Sequence, residues 1–215
     1  MRGILSALAF AASVVAGPAL AQETVSFSIG TVNYTAPMPA GYCMPKGQQV
    51  EMARYAASLD KENTTVLTLY ACGENASPTD YALVKVPIAL ASTRITLATV
   101  LQDPQFARVE KPGALPGVED TLEGALSEKT GQDVQVSSAV AALGHDDVCG
   151  LVGGSMSATA PNVPNPIYIS LGGCMTSVGD RAFMVFFYAS GNDPATVKRL
   201  IAKSRAFAMT VRIRR

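Results

Sequence analysis

The sequence predicts an α+β fold: a mainly antiparallel sheet flanked by helices, an α/β/α sandwich, closed by two disulfides. Three observations carry this. From Val134 onward, β-branched, aromatic and small residues fall in four runs, VQVSSAVAAL, DVCGLVGGS, PIYISLGGC and RAFMVFFYAS. A single amphipathic stretch, DPATVKRLIAKSRAFAMTV, follows them near the end of the chain. The cysteines number four, an even set. Strands grouped in runs, without regular βαβ alternation, favour an antiparallel α+β arrangement over a parallel one.

The first residues read as a targeting segment. Arg2 is a short positive start, Ile4 to Ala16 an apolar core, and Ala19-Leu20-Ala21 a small-x-small cleavage signature. Gly17-Pro18 breaks the helix just before it, so residues 1–21 are expected to be removed and residues 22–215 to form a single α+β domain. The expected location is the periplasm or the exterior, with no transmembrane segment after signal cleavage. Gln22 follows the cleavage point, where a lipid anchor would need cysteine.

In chain order, Val25, Phe27 and Ile29 alternate with polar residues, and Val32 and Tyr34 continue the pattern as an opening hairpin. The turn from Pro37 to Gly41 delivers Tyr42 and Cys43. Met52, Tyr55, Ala56 and Leu59 then form a helical apolar stripe, with Glu51, Arg54, Asp60 and Lys61 on the polar side. Thr65 to Ala71 and Tyr81 to Leu90 read as two strands joined by a turn. Ile95 to Leu101 is open between helix and strand, because its β-branched residues weaken a helix. Pro104 should stop it, and Lys111 to Gly117 reads as loop.

Val118, Leu122, Ala125 and Leu126 mark a short amphipathic helix with Gly131 as its stop. Val134, Val136, Ser138, Val140 and Ala142 share one face of the strand that follows. The segment from Ala160 to Pro166 holds three prolines and reads as an exposed connection. In the closing helix, Val197, Leu200, Ile201, Ser204, Ala208 and Val211 form the buried stripe, Asn192 or Asp193 the cap, and Pro194 the first turn.

Opening strands, a proline-rich turn into Gly41-Tyr42, a helix, paired strands and a final strand–Asp-Pro–helix together resemble the layout of PsbP-like domains. The similarity is one of element order over most of the mature chain. It implies a small exported α/β/α sandwich and an accessory role without catalysis. That family brings no catalytic set, so the resemblance assigns no site residues, and two disulfides are not among its hallmarks.

Lys plus Arg and Asp plus Glu are equal at seventeen each, so no global field draws in nucleic acid. Arg212, Arg214 and Arg215 form a local basic tail that offsets a helix dipole. In an oxidising compartment Cys43, Cys72, Cys149 and Cys174 read as two disulfides. Sequence alone permits three connectivities. Loop lengths favour Cys43–Cys72 and Cys149–Cys174, each expected to stabilise by about 3–4 kcal/mol. Zinc is the rival reading, but the cysteines lack the close ligand spacing and there is one histidine.

The most chemically loaded window is Gly144-His145-Asp146-Asp147-Val148-Cys149. A histidine beside two carboxylates suits a general base or a metal ligand set, whereas the simpler reading is a polar hairpin connection. Gly153-Gly154-Ser155-Met156-Ser157 lacks the second glycine of a nucleophile elbow. Met38, Cys43 and Met44 offer soft ligands to copper(I), while Met52 and Met184 are read as core residues. No glycine loop cradles phosphate, so no cofactor is expected, and no metal either.

The expected function is therefore an exported, non-catalytic accessory or binding protein of the bacterial cell envelope, acting through a surface patch or cleft. Its partner would be an unidentified protein or small molecule, not nucleic acid. The alternative is a small hydrolase or metal-dependent enzyme using His145 with Asp146 or Asp147. The targeting segment has a direct check. Mass spectrometry of the exported protein should show a chain beginning at Gln22, and an intact Met1 in the membrane fraction would overturn the compartment.

Overall fold

A computed structural model describes residues 23–73, 76–107, 123–124, 126–129 and 131–214. The residues read as a targeting segment and those expected as a loop at 111–117 lie outside the described residues, as do Val118, Leu122 and Ala125. The first hairpin pairs β1 (Thr24–Ile29) with β2 (Val32–Pro37) in the register Thr24↔Pro37 to Ile29↔Val32. With β11 (Arg212–Ile213) these form a three-stranded sheet, ordered β1-β2-β11.

The larger sheet is eight-stranded. It contains β3 (Tyr42–Cys43), β4 (Asn63–Ala71), β5 (Tyr81–Pro87), β6 (Gln135–Ser138), β7 (Ala141–His145), β8 (Gly150–Thr159), β9 (Ile167–Val178) and β10 (Arg181–Ser190). The order is β3-β4-β5-β10-β9-β8-β6, with β7 also on β8, and every pairing is antiparallel. The helices are α1 (Gln48–Leu59), α2 (Leu97–Leu101), α3 (Pro104–Ala107) and α4 (Pro194–Thr210), and Glu123, Gly124 and Leu126 to Lys129 are helical too. The expected α+β class and both disulfides are present.

The period of two sorts the large sheet into two faces. On one face Leu67, Leu69, Ala82, Val84, Val86, Phe183, Val185 and Phe187 join Val25, Phe27, Ile29 and Tyr34 of the small sheet and Leu200, Phe207 and Ala208 of α4 in one core. Tyr34 and Phe183 are wholly buried. Each such side chain contributes about 1.5–3 kcal/mol by leaving water. On the other face Val140, Leu171 and Tyr188 form a second, smaller cluster. There Tyr81 and Tyr188 stack with centroids 4.4 Å apart, and burial raises both phenol pKa values. Phe106 of α3 and the ion pair between Asp60, just after α1, and Lys85 of β5 lie on this second face.

Helix α4 follows the expected pattern. Asp193 caps it by accepting from Thr196 N at 2.8 Å, Pro194 opens it, and Leu200, Ser204 and Ala208 are buried. It approaches β9 so closely that a Cβ on Gly172 would lie 2.2 Å from Ile201 N and 2.5 Å from Leu200 C. Ser204 Oγ donates to Gly172 O at 2.6 Å across the same seam.

Four local readings are corrected. α1 forms, but none of its residues is buried, and Met52 is 44% exposed instead of being a core residue. Its stripe stands beside β4 without entering a core. The second strand of the β4–β5 pair ends at Pro87, and Ile88 to Leu90 continue as a 3-10 turn. Pro104 starts α3 instead of only ending α2, because proline suits a first helical turn. The single strand expected from Val134 to Ala142 is two, β6 and β7, both paired to β8. The break is at Ala139-Val140, where Gly154, at φ 154°, leaves room that a Cβ would fill at 2.1 Å from Ala139 O.

The disulfides pair as loop length suggested, Cys43–Cys72 and Cys149–Cys174, with Cα separations of 5.4 and 5.1 Å. Their surroundings differ. Cys149 and Cys174 are 0% and 1% exposed, whereas Cys72 is exposed at the end of β4.

Two predictions follow from packing. Gly172→Ala should destabilise by about 1–3 kcal/mol, because its contacts are helix backbone and cannot yield as a side-chain tip would. Urea unfolding would show it, and an unchanged midpoint would contradict the close seam. Under a mild thiol, peptide mapping should find Cys43–Cys72 opened first and Cys149–Cys174 intact until the fold is lost.

Candidate functional site

The loaded window forms the turn from β7 into β8. Asp146 N donates to Cys149 O at 2.9 Å, closing the turn. Asp146 Oδ1 accepts from Val148 N at 2.7 Å and Cys149 N at 2.8 Å, the arrangement that makes aspartate common in turns. Its Oδ2 accepts from Arg205 Nε on α4, and Arg205 Nη2 donates to Asp147 Oδ1 at 2.9 Å. One guanidinium thus ties two successive carboxylates of the turn to the helix. Cys149 completes the anchorage through its bridge to Cys174.

Burial alone would raise the Asp146 pKa. The two amides and Arg205 outweigh it and hold the carboxyl below its ordinary range. His145 is exposed, and its Nδ1 lies 3.1 Å from the backbone oxygen of Asp146. Asp146 and Asp147 therefore meet on Arg205, while the imidazole faces backbone. Arg205, 59 residues from Asp146, was missed by sequence reasoning, because no local signal links a helix arginine to a turn that distant.

The other sequence candidates are dispersed. Ser155 sits in the middle of β8 opposite Ser170, in extended backbone and not at a sharp turn. Met38 is buried, Met44 is 44% exposed, and the Cys43 sulfur is bound to Cys72. Met184 is half-buried. Among the described residues no group of three His, Cys, Asp or Glu side chains is placed to share a metal ion.

An open groove of about 470 Å³ runs along β6 at the sheet edge, lined by Glu123, Asp133, Gln135, Ser137, Ser157 and Thr159 with Val134 and Val136 between them. The pairings Gln135↔Thr159 and Ser137↔Ser157 set these four polar side chains on one face. The helical residues Glu123 and Ser127 close one side, since Glu123 Oε1 accepts from Val136 N at 2.7 Å and Ser127 Oγ from Val134 N at 3.0 Å. Val136 N on the edge of β6 and Val134 N just before it are thereby satisfied, which blunts the strand as a template for further pairing. The polar half of the β6 and β8 alternation was legible in sequence, but its closure by helix side chains was not.

No protein-family model matches the chain, and no curated protein matches it either. The described residues contain no helix long and apolar enough to cross a membrane.

Asp146 supplies the test of the turn. Asp146→Ala leaves two amides without their acceptor and should cost about 1–2 kcal/mol. The pH dependence has a definite sign. A carboxyl held below its unfolded value of about 3.9 stabilises the fold above that pH, and the gain is lost as pH falls through the lower folded value. Thermal midpoints measured from pH 6 down to pH 2 should therefore fall less steeply in the variant. Parallel acid limbs would show that the carboxylate does not hold the turn.

Proposed function

We propose that this chain is an exported, non-catalytic binding or accessory protein of the bacterial cell envelope, and that the groove along β6 receives its ligand. One observation carries the reading. Asp146 and the cysteines, the groups best suited to chemistry beside the exposed His145, are engaged in holding the fold: both Asp146 oxygens on the turn amides and Arg205, and all four cysteines in bridges. The groove, in contrast, sets the hydroxyls of Ser137, Ser157 and Thr159, the Gln135 amide and the Asp133 carboxylate on an open face, with Glu123 hydrogen-bonded to Val136 N at its side. Two disulfides suit an oxidising compartment and agree with the targeting segment read at residues 1–21. The element order that resembles PsbP-like domains supports the same role.

Carboxylates at Glu123 and Asp133 with hydroxyls beside them suit a polar ligand bearing hydroxyl or cationic groups. Thermal-shift screening with oligosaccharides, polyamines and short basic peptides should find a ligand that raises the midpoint. Ser157→Arg, which fills the groove, should abolish the rise while leaving the unliganded midpoint close to wild type. A broad hydrolase screen tests the opposing class, and an activity that disappears in His145→Ala would overturn the binding reading.

A further inference from the structure

From Val148 to Gly179 the chain carries no charged residue and no histidine, although 16% of the whole chain is charged. This stretch is the β8–β9 hairpin. Its inner part is buried at the centre of the large sheet, where an uncharged sequence is expected, but its tip is not. Residues 161–168 are all exposed, and among them Val163 is 38%, Ile167 50% and Tyr168 40% exposed. Burial explains the missing charges in the strands and leaves those of the tip unexplained.

The tip has further features in common with surfaces that enter lipid. Pro161, Pro164 and Pro166 have no backbone N–H, so the loop carries fewer backbone donors that would need water, and the exposed amides of Asn162 and Asn165 suit the headgroup layer instead of hydrocarbon. Val163 N is satisfied within the loop by Ala160 O at 3.0 Å, and Gly191 N donates to Tyr168 O at 2.9 Å, tying the base of the tip to the chain before α4. Away from water an unsatisfied backbone amide costs several kcal/mol in general, so a loop poor in backbone donors and partly self-bonded loses less on entering the interface. Tyr168 stands at the base, where an amphipathic ring suits the headgroup level. A protein-docking patch usually has a charged rim that sets orientation, and this tip, polar only at Asn162 and Asn165, carries no charge of its own.

We infer that the β8–β9 tip is a membrane-contacting element that dips shallowly into the interfacial layer of a lipid bilayer through Val163, Ile167 and Tyr168. The inference is independent of the groove's ligand. The charges nearest by register are acidic on both sides: Asp133 lies two residues beyond Gln135, the partner of Thr159, and Asp193 two beyond Gly191, whose N donates to Tyr168 O. Anionic lipid therefore offers no advantage, and the partitioning is apolar and insensitive to salt.

The test uses exported protein whose N-terminus has been verified, since a retained apolar leader would bind lipid itself. Sedimentation with phosphatidylcholine vesicles should carry down the wild type equally at low and high salt. The double variant V163D/I167D should partition at least about tenfold less, since it removes apolar area and adds charge at the contact. Far-UV circular dichroism and the thermal midpoint check that it is folded. N165C bearing an environment-sensitive fluorophore keeps the apolar residues and should shift to the blue on vesicles. Failure of the wild type to sediment, undiminished binding by a folded V163D/I167D, or no spectral shift would each overturn the inference. So would binding confined to anionic vesicles and abolished by salt.

Discussion

Helix α4 lies against β9 at a separation only glycine permits, and the placing of the other elements follows from it. With Gly172 under the Leu200–Ile201 backbone and Gly153 under Ile201 and Val197, the helix settles on the sheet across β8 and β9. That position brings Leu200, Phe207 and Ala208 into the core shared with the small sheet. It also sets where the chain leaves the helix, so that β11 pairs with β2 as Arg212↔Thr35 and Ile213↔Tyr34. A bulkier residue at Gly172 would lift the helix and loosen both the main core and the three-stranded sheet.

The His145–Cys149 turn is a second consequence of the same contact. Arg205 reaches Asp146 and Asp147 only because α4 passes over the end of β8. The turn is thus held from two sides, by an ion pair to the helix and by a buried disulfide to β9. These restraints differ physically: the disulfide acts largely on the unfolded chain, while the carboxylate satisfies amides of the folded one. A cluster that looks reactive in sequence is, in space, well supplied with structural partners.

Periodicity made most of the fold legible. The opening hairpin, the capped final helix and both bridges could be read because each depends on neighbours close in sequence. What escaped depends on distant contacts. The stripe of Met52, Tyr55, Ala56 and Leu59 has the spacing of a buried helix, yet α1 lies at the sheet's margin, where no core receives it. Periodicity reports that a helix has an apolar side and not whether anything covers it. The split between β6 and β7 was hidden for a related reason. A single glycine in the neighbouring strand makes room for it, so the alternation from Val134 to Ala142 shows no break.

The candidate site was less legible than the fold because it is made of ordinary residues. Gln135, Ser137, Ser157 and Thr159 are what the solvent side of any strand contains, and only their register with Glu123 and Asp133 turns them into a groove. The hairpin tip is the converse case. Its exposed connection was expected from three prolines, but loops usually carry charge as well as proline, and this one does not. Turn chemistry explains the prolines and sheet burial explains the uncharged strands. Neither explains Val163, Ile167 and Tyr168 in water, and the proposed membrane contact rests on that apolar exposure in a segment without charge.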